Sequence, residues 1–239
     1  MRPWVLLKQA GIPFEEVMVR FGDDRFTATS GFKQSVLAVS PGGRVPVLVD
    51  GGFAIWDTLA IAEYVAEQFP DRHLWPADVK ARARARSVCA EMHSGFGALR
   101  NACPMNIEAD LSRTGAIVWR DQPAVRSDVE RIVTMWTELL DQHRGSPSAG
   151  PPQGANAPSG GRETGSSVGA QFLFGDFSIA DAYFAPVCMR LKNYALPVPG
   201  PITDYIARVC ALPGVKAWID DALAEEDFVV ADEPYRVAR

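Results

Sequence analysis

Residues 45–69 (VPVLVDGGFAIWDTLAIAEYVAEQF) restrict the fold more than any other part of the sequence. Val45, Val47 and Val49 alternate with other residues, an Asp-Gly-Gly turn follows, and a second apolar run returns. This pattern predicts a β-hairpin, because glycine readily takes the positive φ that a tight turn needs. From Asp57 onward the apolar residues recur at helical spacing, which predicts an amphipathic helix. A hairpin that leads directly into a helix indicates a small α/β unit.

The residues before this hairpin extend the α/β unit. Residues 2–10 predict a helix that has Pro3 in its first turn and ends at Gly11. Residues 14–19 are rich in apolar and β-branched side chains and predict a strand. A short helix is expected at 32–39, followed by a Ser-Pro-Gly-Gly turn. We therefore expect one α/β domain over residues 1–73.

The remainder of the chain has a different character. A linker at 70–76 separates the first domain from residues whose apolar spacing is almost entirely helical. We expect a second, all-helical domain over residues 79–239. Its predicted helices are 79–101, 123–142, 179–192, 202–211 and 214–224.

One stretch of the second domain does not follow the helical pattern. Residues 145–170 consist largely of Gly, Ser and Pro and contain no aromatic residue, Leu, Ile or Met. Such a segment cannot bury enough apolar surface to offset the entropy of ordering. It is therefore expected to be a disordered insertion between two helices.

Composition and charge exclude several classes of function. The chain of 239 residues is 47% hydrophobic and carries a formal net charge of −5, which gives no support to nucleic-acid binding. No apolar run approaches the roughly 20 residues that span a membrane, and no signal peptide is visible. The basic run 80–86 (KARARAR) is interpreted as a solvated helix face.

The cysteines indicate a reducing compartment. None of the four lies in a Cys-x-x-Cys pair, and with three histidines no metal-binding spacing occurs, so no metal site is expected. We interpret them as reduced thiols that act as small core side chains in a cytoplasmic protein. They are Cys89, Cys103, Cys188 and Cys210.

Three motifs in order, GRVPVL (43–48), WDTLAIAEYVAE (56–67) and FSIADAYFAPV (177–187), resemble the soluble glutathione S-transferase family. The opening residues RPWVLLKQAGIPFEEV look like the serine-type bacterial branch near the theta and zeta classes. The resemblance implies a thioredoxin-like α/β N-terminal domain followed by an all-α helical bundle. It also implies a cytoplasmic homodimer that uses glutathione as co-substrate against small hydrophobic electrophiles. Ser178 and Asp181 are predicted to form a structural capping box.

The resemblance assigns a glutathione site to the first domain. A cis bond between Val45 and Pro46 would turn the Val45 backbone outward to pair with the cysteinyl part of glutathione. Asp57 and Thr58, at a helix N-terminus, would bind the γ-glutamyl ammonium and carboxylate. Arg44, with Lys33 as a second cation, would face the glycyl carboxylate. The alternatives are a plain proline at a strand start, an ordinary helix cap and a solvated surface lysine.

A substrate pocket is expected at the corner formed by residues 91–106. Met92, His93, Phe96 and Arg100 would line it, and the polar members could orient a polar substrate. The alternative for His93 is a packed or surface histidine.

The resemblance also concerns what precedes Met1. Family members place a first strand and a loop with the catalytic Tyr, Ser or Cys before the helix that opens this chain. We therefore expect Met1 to be an internal methionine, and no residue here is assigned as the catalytic hydroxyl or thiol. The expected activity is glutathione transfer. The alternatives are a glutathione-dependent isomerase and a truncated, non-catalytic glutathione-binding or stress protein.

Overall fold

The computed structural model describes residues 1–20, 30–144, 171–225 and 233–236. The predicted insertion at 145–170 therefore lies outside the described residues. The described chain contains ten α-helices and two β-strands. The elements are α1 (Arg2–Gln9), α2 (Gly31–Leu37), β1 (Val47–Asp50), β2 (Phe53–Trp56), α3 (Thr58–Gln68), α4 (Val79–Ser94), α5 (Gly97–Ala102), α6 (Ser112–Asp121), α7 (Pro123–Gln142), α8 (Ile179–Asn193), α9 (Gly200–Ala211) and α10 (Pro213–Ala224).

The predicted hairpin is confirmed. β1 and β2 are antiparallel and pair Val47 with Trp56 at the open end. Gly51 and Gly52 form the turn at φ values of 54° and 86°, a backbone region that disfavours side chains with a Cβ. The hairpin is tied to α3 because the Tyr64 hydroxyl donates to Asp50 at 2.7 Å.

The prediction of a strand at 14–19 is wrong. The described residues of this segment join no ladder, and the described sheet has two strands, β1 and β2. An extended segment becomes a strand only where a neighbour pairs with its N–H and C=O groups. Side-chain contacts fix this segment against α1 instead. The Trp4 indole N–H donates a hydrogen bond to the Glu16 carboxylate at 2.9 Å, and the Trp4 ring packs edge-on against Phe14.

Helix α1 joins the two parts of the molecule. Its buried Val5, Leu6 and Leu7 belong to one continuous core. The helix packs against α3 in the α/β part and against α8 and α10 in the helical part. At its end, the Gln9 side chain accepts a hydrogen bond from the Gly214 N–H at 3.0 Å. The helical and α/β parts therefore share a core across α1.

Helix α8 forms the centre of the helical part. It is buried along nearly its whole length, and Trp136 from α7 packs edge-on against Phe184 of α8. The predicted capping box at Ser178 and Asp181 is present at its start. None of the helices in the described ranges is both long and apolar enough to cross a bilayer.

The single helix predicted over 79–101 is divided. α4 ends at Ser94, and α5 begins at Gly97 after Phe96 adopts a left-handed φ of 56°. Phe96 is 7% exposed, and Asp128 accepts a hydrogen bond from the free N–H of Leu99 at 2.9 Å. The break turns an aromatic ring inward, and a carboxylate from α7 caps the new helix. Helix α6 was not among the predicted helices.

Candidate functional site

The Val45–Pro46 peptide bond is cis and lies just before β1. Val45 is 54% exposed, and no backbone hydrogen bond joins its N–H or C=O to another described residue. The hairpin pairs Val47 with Trp56, so Val45 and Pro46 lie at the same end of the hairpin as Asp57. An open backbone edge therefore adjoins the start of α3.

Two cationic side chains lie beside this edge. The Lys33 ammonium donates to the Gly43 carbonyl at 2.9 Å, which fixes the lysine against the turn before Arg44. Arg44 is exposed and forms no ion pair within the described residues. The structure thus brings Lys33 and Arg44 to the same turn.

Asp57 and Thr58 occupy the N-terminus of α3. Asp57 has a φ of 73°, and its Oδ1 accepts a hydrogen bond from the Leu59 N–H at 2.9 Å. Because a helix N-terminus carries free N–H groups and a partial positive charge, it favours anionic groups. Thr58 reaches into the helical part, where its hydroxyl shares a 2.7 Å hydrogen bond with the hydroxyl of Tyr183.

The four residues expected at the substrate corner divide into two pairs. His93 is exposed and its Nε2 lies 3.2 Å from Asp57 Oδ2, while Arg100 donates to the His93 carbonyl at 3.2 Å. Met92 is fully buried and Phe96 nearly so, both in the hydrophobic core. Met92 and Phe96 are therefore core residues rather than walls of an open pocket. His93 lies beside the α3 N-terminus, and Arg100 is bonded to the backbone of His93.

Two residues at this place were not predicted from the sequence. The Arg2 Nε donates to the Tyr183 carbonyl at 3.0 Å, and its guanidinium lies 4.9 Å from the centre of the Tyr183 ring. Burial lowers the pKa of Arg2, and burial raises the pKa of Tyr183 to about 12. Tyr183 therefore stays a neutral phenol at physiological pH. It lies within the FSIADAYFAPV motif, in which the sequence assigns a role only to the capping box of Ser178 and Asp181.

The cysteines do not supply a reactive thiolate. All four are free; three are buried, and Cys210 is half-buried. Burial raises the pKa of each thiol, that of Cys103 to about 11. A nucleophilic cysteine requires the opposite shift. The described residues contain no group of three or more His, Cys, Asp and Glu side chains that could hold a metal ion.

The site as a whole suits a short, extended ligand with charges at both ends. The open edge at Val45 can pair with a peptide-like backbone. Asp57 and the α3 N-terminus supply a carboxylate and free N–H donors, and the exposed cation Arg44 directly precedes Val45.

A family model described as glutathione S-transferase, N-terminal domain, matches residues 1–68. Glutathione S-transferase theta-1 of Mus musculus is 34% identical over 104 residues, which cover 42% of this chain and 39% of that protein. Glutathione S-transferase 1 of Dianthus caryophyllus is 31% identical over 115 residues, 48% of this chain and 50% of that protein. The maleylacetoacetate isomerase of Pseudomonas aeruginosa is 40% identical over 72 residues, which cover 30% of this chain and 34% of that protein. These matches span half or less of each curated relative.

Solved structures share the fold over almost the whole chain. A glutathione transferase homologue from Burkholderia, solved with bound glutathione, has a TM-score of 0.59 at 25% identity, covering 93% of this chain and 90% of its own. A glutathione transferase from Methylococcus capsulatus has a TM-score of 0.60 at 20% identity, covering 93% of both chains. The predicted architecture, a thioredoxin-like part followed by a helical part, is confirmed at the level of fold.

Proposed function

We propose that this chain, which belongs to the soluble glutathione S-transferase family, joins the thiol sulfur of glutathione to an electrophilic carbon of small hydrophobic molecules. The observation that carries the proposal is the open Val45 backbone beside a cis proline, next to Asp57 and Thr58 at the α3 N-terminus. Glutathione is a short peptide with charges at both ends, which matches this arrangement.

Each part of glutathione has a counterpart in the site. The backbone of its cysteinyl residue pairs with the N–H and C=O of Val45. The carboxylate of Asp57 binds the γ-glutamyl ammonium, and Thr58 with the free N–H groups of α3 binds the γ-glutamyl carboxylate. Arg44, assisted by Lys33, binds the glycyl carboxylate at the opposite end.

In the proposed reaction, the thiolate of bound glutathione attacks the electrophilic carbon. A carbon–sulfur bond forms, the leaving group departs with the electron pair of its bond to carbon, and the thiol proton passes to solvent. The thiolate is the nucleophile, so a hydroxyl or cationic donor near the sulfur accelerates the step. No described residue is assigned as that donor.

Calorimetric titration with glutathione tests the binding site without requiring turnover. Asp57→Asn and Thr58→Val should each weaken binding about tenfold, because each removes a hydrogen bond to a charged group. Glu130→Gln on the exposed face of α7 is the matched control and should bind glutathione as the unaltered chain does. Unchanged affinity in both site variants would contradict the assignment.

A glutathione-dependent isomerase is the second candidate. It is favoured by the similarity to maleylacetoacetate isomerases, which are 38% and 40% identical over the matched residues. An isomerase uses the same site but regenerates glutathione. Mass spectrometry of the products separates the two activities, because a transferase consumes glutathione into a stable conjugate. Binding without either product would favour the non-catalytic alternative.

We also propose that the protein acts in detoxification as a cytoplasmic homodimer. Four free cysteines suit a reducing compartment. Phe53 is 63% exposed and lines a groove with Trp56 and Tyr64 between β2 and α3, a surface for a second copy. Light scattering at several protein concentrations tests the dimer.

A further inference from the structure

Three arginine side chains converge between α1, α5 and α8. The Arg2 Nε donates to the carbonyl of Tyr183 at 3.0 Å, and the Arg190 Nη1 donates to that of Pro186 at 3.2 Å, one turn further along α8. The Arg190 Nε also donates to the Cys103 carbonyl at 2.9 Å. Cys103 directly follows α5, the helix that carries Arg100. Backbone carbonyls therefore fix the positions of two guanidinium groups beside a third.

None of these three arginines forms an ion pair within the described residues. Arg100 is bonded to the carbonyls of His93 and, at 3.5 Å, Gly95. The salt bridges of the described chain involve other arginines, such as Arg86 with Glu63 and Arg131 with Glu91. The three positive charges are thus held without a carboxylate in contact.

The electrostatics show that the three groups affect one another. Burial, together with the nearby positive charges of Arg2 and Arg100, lowers the pKa of Arg190 to about 10. Burial also lowers the pKa of Arg2, as does Arg100, while the carboxylate of Asp57 acts in the opposite direction. Asp57 already faces His93 at 3.2 Å. One carboxylate shared with a histidine does not balance three guanidinium groups.

Partly buried positive charges without a carboxylate partner reduce the stability of a fold. The presence of three such arginines beside a ligand site is explained if a bound anion neutralises their charge. Guanidinium groups bind carboxylates through paired, charge-assisted hydrogen bonds. Tyr183 separates Arg2 from Thr58, which places the arginines next to, and not within, the part of the site proposed for the γ-glutamyl group.

We propose that Arg2, Arg100 and Arg190 bind a carboxylate on the electrophilic substrate, so that the preferred electrophiles are organic acids. This inference rests on the proposed glutathione transfer and adds the substrate class. Arg100 is the exposed arginine of the three and contacts the substrate carboxylate directly. Arg2 and Arg190 are partly buried and add to the positive potential at that place.

A matched pair of substrates tests the proposal. In 4-chloro-3-nitrobenzoate and 4-chloro-3-nitrobenzamide, the glutathione sulfur attacks the ring carbon that bears chlorine. The carbon–sulfur bond forms, chloride leaves with the bonding electron pair, and the thiol proton goes to solvent. The two compounds differ in one group, a carboxylate against a neutral amide. Rates above the uncatalysed reaction are followed by absorbance together with release of chloride.

The expected result is a kcat/KM for the benzoate at least tenfold above that for the benzamide. Arg100→Gln should remove most of this preference by raising KM for the benzoate, and Arg100→Lys should restore part of it. Arg84→Gln, on the exposed face of α4, is the control and should keep the preference. Arg100 is exposed and, among the described residues, its side chain is bonded only to backbone carbonyls, so its variants should fold.

Two results would overturn the proposal. The first is equal or faster turnover of the benzamide. The second is an Arg100→Gln variant that raises KM for glutathione and leaves the benzoate preference intact, because the arginines would then serve glutathione itself. Absence of glutathione binding and of turnover with both compounds would instead contradict the proposed function.

Discussion

Replacing Asp181 with asparagine tests the energetics of the buried carboxyl at the start of α8. Its Oδ1 accepts hydrogen bonds from the Leu173 N–H at 3.2 Å and the Tyr205 hydroxyl at 3.0 Å. Its Oδ2 accepts from the N–H and hydroxyl of Ser178 at 2.9 Å and 3.1 Å. Burial nevertheless raises the pKa of Asp181 from 3.8 to about 6, with the hydrogen bonds acting in the opposite direction.

The native state therefore holds the proton of this carboxyl more tightly than the unfolded chain does. The stability contributed by protonation is fully present below the unfolded pKa of 3.8 and is lost as the pH rises through about 6. One pKa unit corresponds to about 1.4 kcal/mol. Between about pH 7.5 and about pH 4.5, Asp181 should contribute a gain of about 2 kcal/mol to the free energy of unfolding.

Urea unfolding followed by tryptophan fluorescence at several pH values measures this gain. The useful quantity is the free energy of unfolding of the unaltered chain minus that of Asp181→Asn, because the subtraction removes the titration of all other groups. We expect the difference to grow by about 2 kcal/mol over that interval as the pH falls. Asp204→Asn, at an exposed position of α9, is the matched control. A constant or shrinking difference for Asp181→Asn would refute the reasoning.

Three further predictions concern packing, thiols and assembly. Gly115→Ala should lower the free energy of unfolding by about 3 kcal/mol, because its Cβ would overlap the Tyr194 carbonyl, whereas Gly97→Ala, with open space at the Cβ, should change it by less than about 1 kcal/mol in thermal melts. Titration with a thiol reagent at neutral pH should modify at most one cysteine of the folded protein, the half-buried Cys210, and all four only after denaturation. Phe53→Ser should shift light scattering from dimer towards monomer, because it removes an exposed ring from the proposed contact surface. Four promptly reactive thiols, or a Phe53 variant with an unchanged mass in solution, would contradict the last two predictions.

Local patterns in the sequence were sufficient for the hairpin and most helices. The glycine pair at 51 and 52 and the capping box at Ser178 carry strong local signals, and both features are present. The segment 14–19 has a local strand pattern, but a strand depends on a neighbour that the pattern does not reveal. The glycines on either side of Phe96 indicated a break in the predicted helix over 79–101, although the helical spacing continued through them.

The candidate site was predictable only in part. Asp57 and Thr58 follow a hairpin directly, so their position at a helix start could be inferred from adjacent residues. Arg2 and Tyr183 are brought together across 181 residues, and no local pattern marks such a pair. Met92 and His93 are neighbours in sequence on α4, yet one is buried and the other exposed. Which face of a helix turns inward depends on tertiary packing.

The position of α1 has a consequence for how the protein is synthesised. The hydrogen bond between Gln9 and Gly214 joins residues 205 positions apart, and α1 packs against α10. Contacts so distant along the chain form late, because the loop between them must first be closed. On the ribosome, the part of α1 that packs against α10 therefore remains exposed to solvent until α10 has emerged. During that interval its apolar side chains are a binding site for chaperones.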